Sequence, residues 1–146
     1  STAGYFGGGA EAAAPYHVAT VDRFLFSDDS RTTLGTGLSA ARYYLGGMAS
    51  ADAGYFAGGY ISPSYVATVD RFLFSNDSRT TLGTGLSAAR QGVAGMASAD
   101  AGYFGGGQEA SYVATVDRFL FSDDSRSTLG TGLSAARQGV AGMASS

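Results

Sequence analysis

His17 is the only histidine in the chain, hence the only side chain whose ordinary pKa suits proton transfer near neutral pH. A Ser-His-Asp relay needs that imidazole held by a carboxylate and set beside a Ser. His17 instead closes a long Ala-rich loop, Ala10–His17, and no counterpart of it recurs elsewhere in the sequence. Cysteine is absent, which excludes disulfides, thiolate metal sites and a thiol nucleophile. Adjacent acids do recur, as in Asp28-Asp29-Ser30 and Asp123-Asp124-Ser125. Calcium takes about six to eight oxygens from alternating positions of a longer loop. Two neighbouring acids followed by Ser have instead the chemistry of a tight hairpin turn. The Gly-rich runs such as Gly105-Gly106-Gly107 open no helix and precede no Lys, so they do not form a phosphate cradle. No catalytic residue, no metal and no cofactor is therefore expected.

Binding chemistry is better supplied. Arg42, Arg90 and Arg137 stand at equivalent places in a repeat, and a ring of guanidinium groups could grip an anion or carboxylate. The competing reading pairs them with Asp22, Asp70 and Asp117, which repeat in step with them, and that reading is preferred. Tyr16, His17, Tyr60 and Tyr65 lie in or beside the segments where the copies diverge, and could stack on a sugar or a protein partner. They could equally cap the structure locally. Asn76-Asp77-Ser78 matches the N-glycosylation pattern, yet the other copies carry Asp at that position, so chance substitution explains it as well.

Repetition must position these residues. Val18–Ser50 recurs as Val66–Ser98 and Val113–Ser145; the last two copies differ only at Asn76/Asp123 and Thr80/Ser127. The first copy differs from the second at Asp28 and at Tyr43-Tyr44-Leu45-Gly46, where the second reads Asn76 and Gln91-Gly92-Val93-Ala94. A shorter segment, Ala-Gly-Tyr-Phe-(Gly/Ala)-Gly-Gly, starts at Ala3, Ala53 and Ala101. The unit divides into four short strands. Strand A is Gln91–Ser98, built of small residues, and strand B is Gly102-Tyr103-Phe104. Strand C, Tyr112–Ser122, is rich in β-branched and aromatic residues, and a polar strand D runs from Arg126 to about Leu133. The Ser-Ala-Ala-Arg stretches at Ser39, Ser87 and Ser134 are too short and too close to Gly for a helix. Strand C is apolar on both faces, with Val69 and Leu73 pointing one way and Phe72 and Phe74 the other, as a sheet covered on both sides requires.

A period near 48 with many short strands fits the blades of a β-propeller. The Gly pairs Gly8-Gly9, Gly58-Gly59 and Gly106-Gly107, the Val-Asp-Arg-Phe of strand C and the Ala-Arg leading to strand A resemble kelch repeats. The wording Gly-Tyr-Phe-Gly-Gly-Gly followed by Thr-Val-Asp-Arg is similar to the kelch-type repeats of bacterial and phage proteins. That resemblance covers nearly the whole chain and implies a propeller of four-stranded antiparallel blades with a binding or scaffolding role, seldom an enzyme. The chain departs from the usual kelch pattern in having no Trp.

Residues 1–146 then form one repeat domain, with units at about 3–50, 51–98 and 99–146 and the order B-C-D, A-B-C-D, A-B-C-D, A. Strand B of the first unit (Gly4, Tyr5, Phe6) and the last strand A (with Val140 and Met143) are each left without a partner, which predicts that two chains pair these strands. Joined head-to-tail, two chains would make a six-bladed ring; a contact that failed to close would propagate as a filament. The expected function is a non-catalytic self-assembling scaffold, a ring or a fibre subunit of a virion or extracellular appendage. The alternatives are a glycan- or protein-binding module using the B–C loops, and a piece of a longer single-chain propeller, the chain having neither an initiator Met nor a signal-like start. A net charge of −3 speaks against nucleic acid as a partner, and no apolar run nears the ~20 residues of a membrane span.

Overall fold

The computed structural model describes residues 2–14 and 16–145; Ser1, Pro15 in the first variable loop, and Ser146 lie outside the described residues. The described chain is all-β, and its strands form four antiparallel sheets of two to four strands. The first sheet orders β1 (Ala3–Gly7), β2 (Val21–Leu25) and β3 (Arg31–Thr33). The second orders β4 (Gly46–Ala49), β5 (Ala53–Ala57), β8 (Val69–Leu73) and β9 (Arg79–Thr81). Between β5 and β8, part of the variable segment pairs as a small ribbon of β6 (Tyr60–Ile61) and β7 (Ser64–Tyr65). The third large sheet orders β10 (Ala94–Ala97), β11 (Ala101–Gly105), β12 (Val116–Leu120) and β13 (Arg126–Thr128).

The strands are shorter than their sequence patterns. β12 begins four residues after Tyr112, because Gly106 and Gly107 adopt φ of 68° and 108° and turn the chain out of the ladder. β13 ends at Thr128, after which Leu129 N donates to Val116 O and Leu133 N to Ala114 O, folding the rest back over β12. Residues 141–144 repeat the sequence of β10 yet form no strand, because among the described residues no neighbour offers them a ladder.

Both faces of the central sheet are packed. Toward the first sheet, Phe72 and Phe56 meet Tyr5, Val21 and Leu38. Toward the third, Tyr55, Val69 and Leu86 meet Phe104, Phe119 and Val93. Alternation along each strand sends the Tyr and Val one way and the Phe residues the other, so every sheet has one Tyr/Val/Leu face and one Phe face. The Phe rings pack edge-on within each sheet: Phe56 on Phe72 at 5.9 Å, and Phe104 on Phe119 at 6.0 Å.

The inner strands approach backbone to backbone, which explains their small residues. A Cβ built on Gly95 would lie 2.1 Å from Gly47 O, and one on Gly142 would lie 2.3 Å from Gly95 O. Gly83, by contrast, faces open space. Gly95→Ala is therefore expected to destabilise the chain by about 2 kcal/mol or more, while Gly83→Ala changes it by less than about 0.5 kcal/mol. Urea unfolding of the two variants measures the difference.

Candidate functional site

The sheets are held together by two kinds of polar clasp, each present twice. In the first kind, the segment leaving one sheet reaches a carboxylate in the next. Arg42 Nη2 lies 3.0 Å from Asp70 Oδ2, and both side chains are wholly buried. Ser39 N and Ser39 Oγ each donate to the same oxygen at 2.8 Å, and Thr81 Oγ1 donates to Asp70 Oδ1 at 2.6 Å. Arg42 also donates to Ser39 Oγ at 3.3 Å and to Phe56 O at 3.3 Å. The next copy reproduces this. Arg90 Nη2 lies 2.9 Å from Asp117 Oδ2, with both side chains again wholly buried. Ser87 N and Oγ donate to that oxygen at 2.8 and 2.9 Å, and Thr128 Oγ1 donates to Asp117 Oδ1 at 2.6 Å.

The second clasp runs from a Tyr and an Arg to an Asp at the hairpin tip of the following sheet. Tyr5 OH donates to Asp77 Oδ1 at 2.7 Å and Arg23 Nη1 to Asp77 Oδ2 at 2.5 Å, while the Tyr5 ring stacks on Phe74 at 5.2 Å. Tyr55 OH donates to Asp124 Oδ1 at 3.0 Å, Arg71 pairs with Asp124, and Tyr55 stacks on Phe121 at 5.6 Å. Asp77 and Asp124 have φ of 56° and 57°, a left-handed conformation that Asp tolerates better than most residues. The residue before each braces the turn: Asn76 Oδ1 accepts from Ser78 N at 3.1 Å and Asp123 Oδ1 from Ser125 N at 2.9 Å. Asn76, the sequon residue, is exposed and serves this turn.

Two end faces carry unmatched halves of these clasps. On the first sheet, Asp29 has the same turn geometry, φ 57°, but no side-chain partner among the described residues, and Phe26 is exposed where Phe74 and Phe121 stack. Among the described residues Asp22 is bound within its own sheet alone, by Thr33 Oγ1 at 2.5 Å and Arg31 at 3.4 Å. Phe6 is 72% exposed where its equivalent Phe104 is 0% exposed. On the third sheet the donors wait: among the described residues, the side chains of Tyr103, Arg118, Ser134 and Arg137 have no hydrogen-bond or ion-pair partner.

Of the guanidinium residues, Arg42 and Arg90 are inter-sheet ties, wholly buried against Asp70 and Asp117, while Arg137 is exposed. Of the strand-pairing residues, Gly4, Tyr5 and Phe6 lie on β1, an edge strand. Val140 is half-buried near Gly106, and Met143 is 89% exposed where Met48 is 8% exposed. His17 has no carboxylate or Ser partner among the described residues; its ring stacks on Tyr43 at 4.5 Å. Tyr60 and Tyr65 join the same cluster, with Tyr60 5.4 Å from Tyr43 and 5.6 Å from Tyr65. Tyr16 is exposed and makes no ring contact among the described residues. Tyr43 and Tyr44 are not among the candidate residues drawn from the sequence, although their confinement to one copy is a readable signal.

The clasps set the ionisation of their members. Burial opposes the Asp70 and Asp117 charges, but the hydrogen bonds from Thr and Ser and the adjacent Arg outweigh it and hold both carboxyls below 3.8. Burial, reinforced by hydrogen bonding to Asp77 and Asp124, pushes the Tyr5 and Tyr55 phenols up from 10.0 to about 12. No protein-family model matches the chain, and no curated protein matches it.

Two outcomes follow from the clasps. Arg90→Ala strands the buried Asp117 carboxylate and is expected to cost about 3–5 kcal/mol in urea unfolding, whereas Arg137→Ala removes a solvated charge and costs under about 0.5 kcal/mol in an isolated chain. Stability should also hold a plateau bounded on both sides. The depressed Asp carboxyls contribute stability above their unfolded pKa that is lost as pH falls below about 4. The raised Tyr phenols contribute stability that is lost as pH climbs from 10.0 to about 12. Thermal melts across pH give the profile; a stability maximum at pH 3 would contradict it.

Proposed function

We propose that the chain is a non-catalytic scaffold that assembles with copies of itself, its sheets acting as kelch-like propeller blades. The observation that carries this reading is the repetition of one interface twice inside the chain, with its two halves left over on the end faces. By register, Arg137 and Ser134 of one copy would bind Asp22 of another. Tyr103 and Arg118 would bind Asp29, and Tyr103 would stack on Phe26. Donors lie on one end and acceptors on the other, so the fit is head-to-tail.

The inner strand follows the same logic. Met48 pairs with Tyr55 and Met96 with Tyr103, with Gly47 opposite Phe56 and Gly95 opposite Phe104. Residues 141–144 of a second copy would continue that register on β1, placing Met143 opposite Tyr5 and Gly142 opposite Phe6. A cavity of 360 Å³ lined by Gly4 and Tyr5 of β1 and by Gly47 and Met48 of β4 leaves room for it. Gly47 O in β4 is the neighbour of Gly95, and Gly47 itself meets no backbone of another sheet. The chain exposes 7671 Å². A folded monomer of this mass typically exposes about 7,000 Å², an excess consistent with faces meant to be covered.

Six blade-like sheets, three larger ones from each chain, fall within the four-to-eight range in which such rings close, so a ring of two chains is the preferred product. The 146-residue chain is expected to sediment at twice 14.8 kDa. Asp29→Arg is expected to shift it to monomer with the thermal unfolding of the single chain retained. A monomer at all concentrations sinks the reading; growth without limit as concentration rises replaces the ring with a filament.

A further inference from the structure

The copies diverge at few places, and the divergent residues meet in space. Tyr43-Tyr44 stands where the other copies have Gln91-Gly92 and Gln138-Gly139. His17 and the Tyr60–Tyr65 ribbon come from two further copy-specific segments, and all converge on Tyr43, whose ring also lies 4.5 Å from that of Tyr44. The three equivalent positions line up through their backbones: Gly92 N donates to Tyr44 O at 2.7 Å, and Gly139 N to Gly92 O at 3.0 Å.

Tyr44 is held in a conformation that suits the residue it replaced. Its φ is 57°, where Gly92 and Gly139 have 67° and 64°. For a bulky L-residue that backbone costs on the order of 1 kcal/mol or more. The ring does not recover this by burial, since Tyr44 is 61% exposed. Together with Gln91, Gly92, Gln138 and Gly139 it lines a cavity of 420 Å³, a size common among small-molecule sites. The lining holds no carboxylate and no cation. Gln91 Nε2 donates to Gln108 Oε1 at 3.1 Å, which holds that amide and leaves its own oxygen as an acceptor. The Gln138 amide has no side-chain partner among the described residues.

We infer that this cavity binds a neutral pyranose, the sugar's C–H face lying on the Tyr44 ring and its hydroxyls bonded by the Gln91 and Gln138 amides. The lining selects that chemistry. An ionic ligand would meet no counter-charge, and a purely apolar one would leave the Gln91 oxygen and the Gln138 amide without a partner from the ligand. A pyranose offers both an apolar face and a rim of hydroxyls that donate and accept. All the residues belong to one chain, so the site does not depend on self-association.

The test is a neutral-glycan array followed by NMR titration with the best hexasaccharide found, cellohexaose and maltohexaose being included whatever the array shows. Saturable binding with shifts at the Gly92 and Gly139 amides is expected. Tyr44→Gly restores the residue of the other copies, so its melting temperature should be unchanged or raised while affinity falls about tenfold or more. Gln138→Ala should weaken binding without touching stability, and Thr80→Ser, an exposed change on β9 to the residue of the third copy, should do neither. Silence toward every neutral glycan overturns the inference. So does a Tyr44→Gly variant that binds as well as the parent, or one that melts earlier, which would make the ring a structural cap.

Discussion

Each wholly buried carboxylate, Asp70 or Asp117, stands on a strand of one sheet while its counter-charge and its Ser donors arrive from the segment leaving the sheet before. Burying an ion pair is costly, and it is tolerated only where the remaining lone pairs are also satisfied. Here they are: Asp70 accepts from Thr81 and from Ser39 twice, and pairs with Arg42. The geometry is therefore intolerant of sliding. If the next sheet slid by one residue, about 3.3 Å, the Asp70 carboxylate would leave ion-pair reach and the guanidinium would be left alone in an apolar layer. Apolar packing pulls the sheets together without direction; the clasp says where each must stop.

The second clasp does the same at the other end of the sheet. A Tyr hydroxyl and an Arg converge on an Asp whose left-handed backbone lifts it out of the hairpin tip toward its neighbour. Two fixed points, one near each end of the strands, define the rotation between successive sheets. Because the copies are nearly identical, the interface between the first and second sheets and that between the second and third share partners and, within a few tenths of an ångström, most distances.

Much of this was legible in the sequence, and the physical reason is periodicity. Segments repeated at offsets of 48 and 47 fall in the three larger sheets, beside which stands a two-stranded ribbon that no repeat announces, and the two-sided apolar pattern of Val69–Leu73 fits a strand packed on both faces. The turn role of Asp28-Asp29-Ser30 followed from side-chain chemistry alone. Sequence spacing was less able to say which copy supplies a partner: Arg42 has Asp22 twenty residues before it and Asp70 ahead, and only the fold selects Asp70. Strand ends are less legible, because the β-branched and aromatic run begins at Tyr112 while Gly106 and Gly107 turn the preceding chain away and β12 starts only at Val116. The Tyr43–His17–Tyr60 cluster was hidden for a different reason. Its members lie in three separate segments, and nothing local joins them before folding does.

Directionality is built into these contacts. Tyr103, Arg118, Ser134 and Arg137 are all donors on one end face, while Asp22 and Asp29 are acceptors on the other. Two like faces brought together would oppose arginine to arginine or carboxylate to carboxylate, and would set Tyr against Tyr rather than Tyr against Phe. An association that reuses the clasps can only run from one kind of face to the other. A partner that reused the clasps on the third sheet would have to present what the second presents to the first: a hairpin-tip Asp, a ring to stack on Tyr103, and a strand carboxylate within reach of Arg137. The first sheet of an identical chain carries all three, already in the spacing that Asp77, Phe74 and Asp70 use inside the molecule.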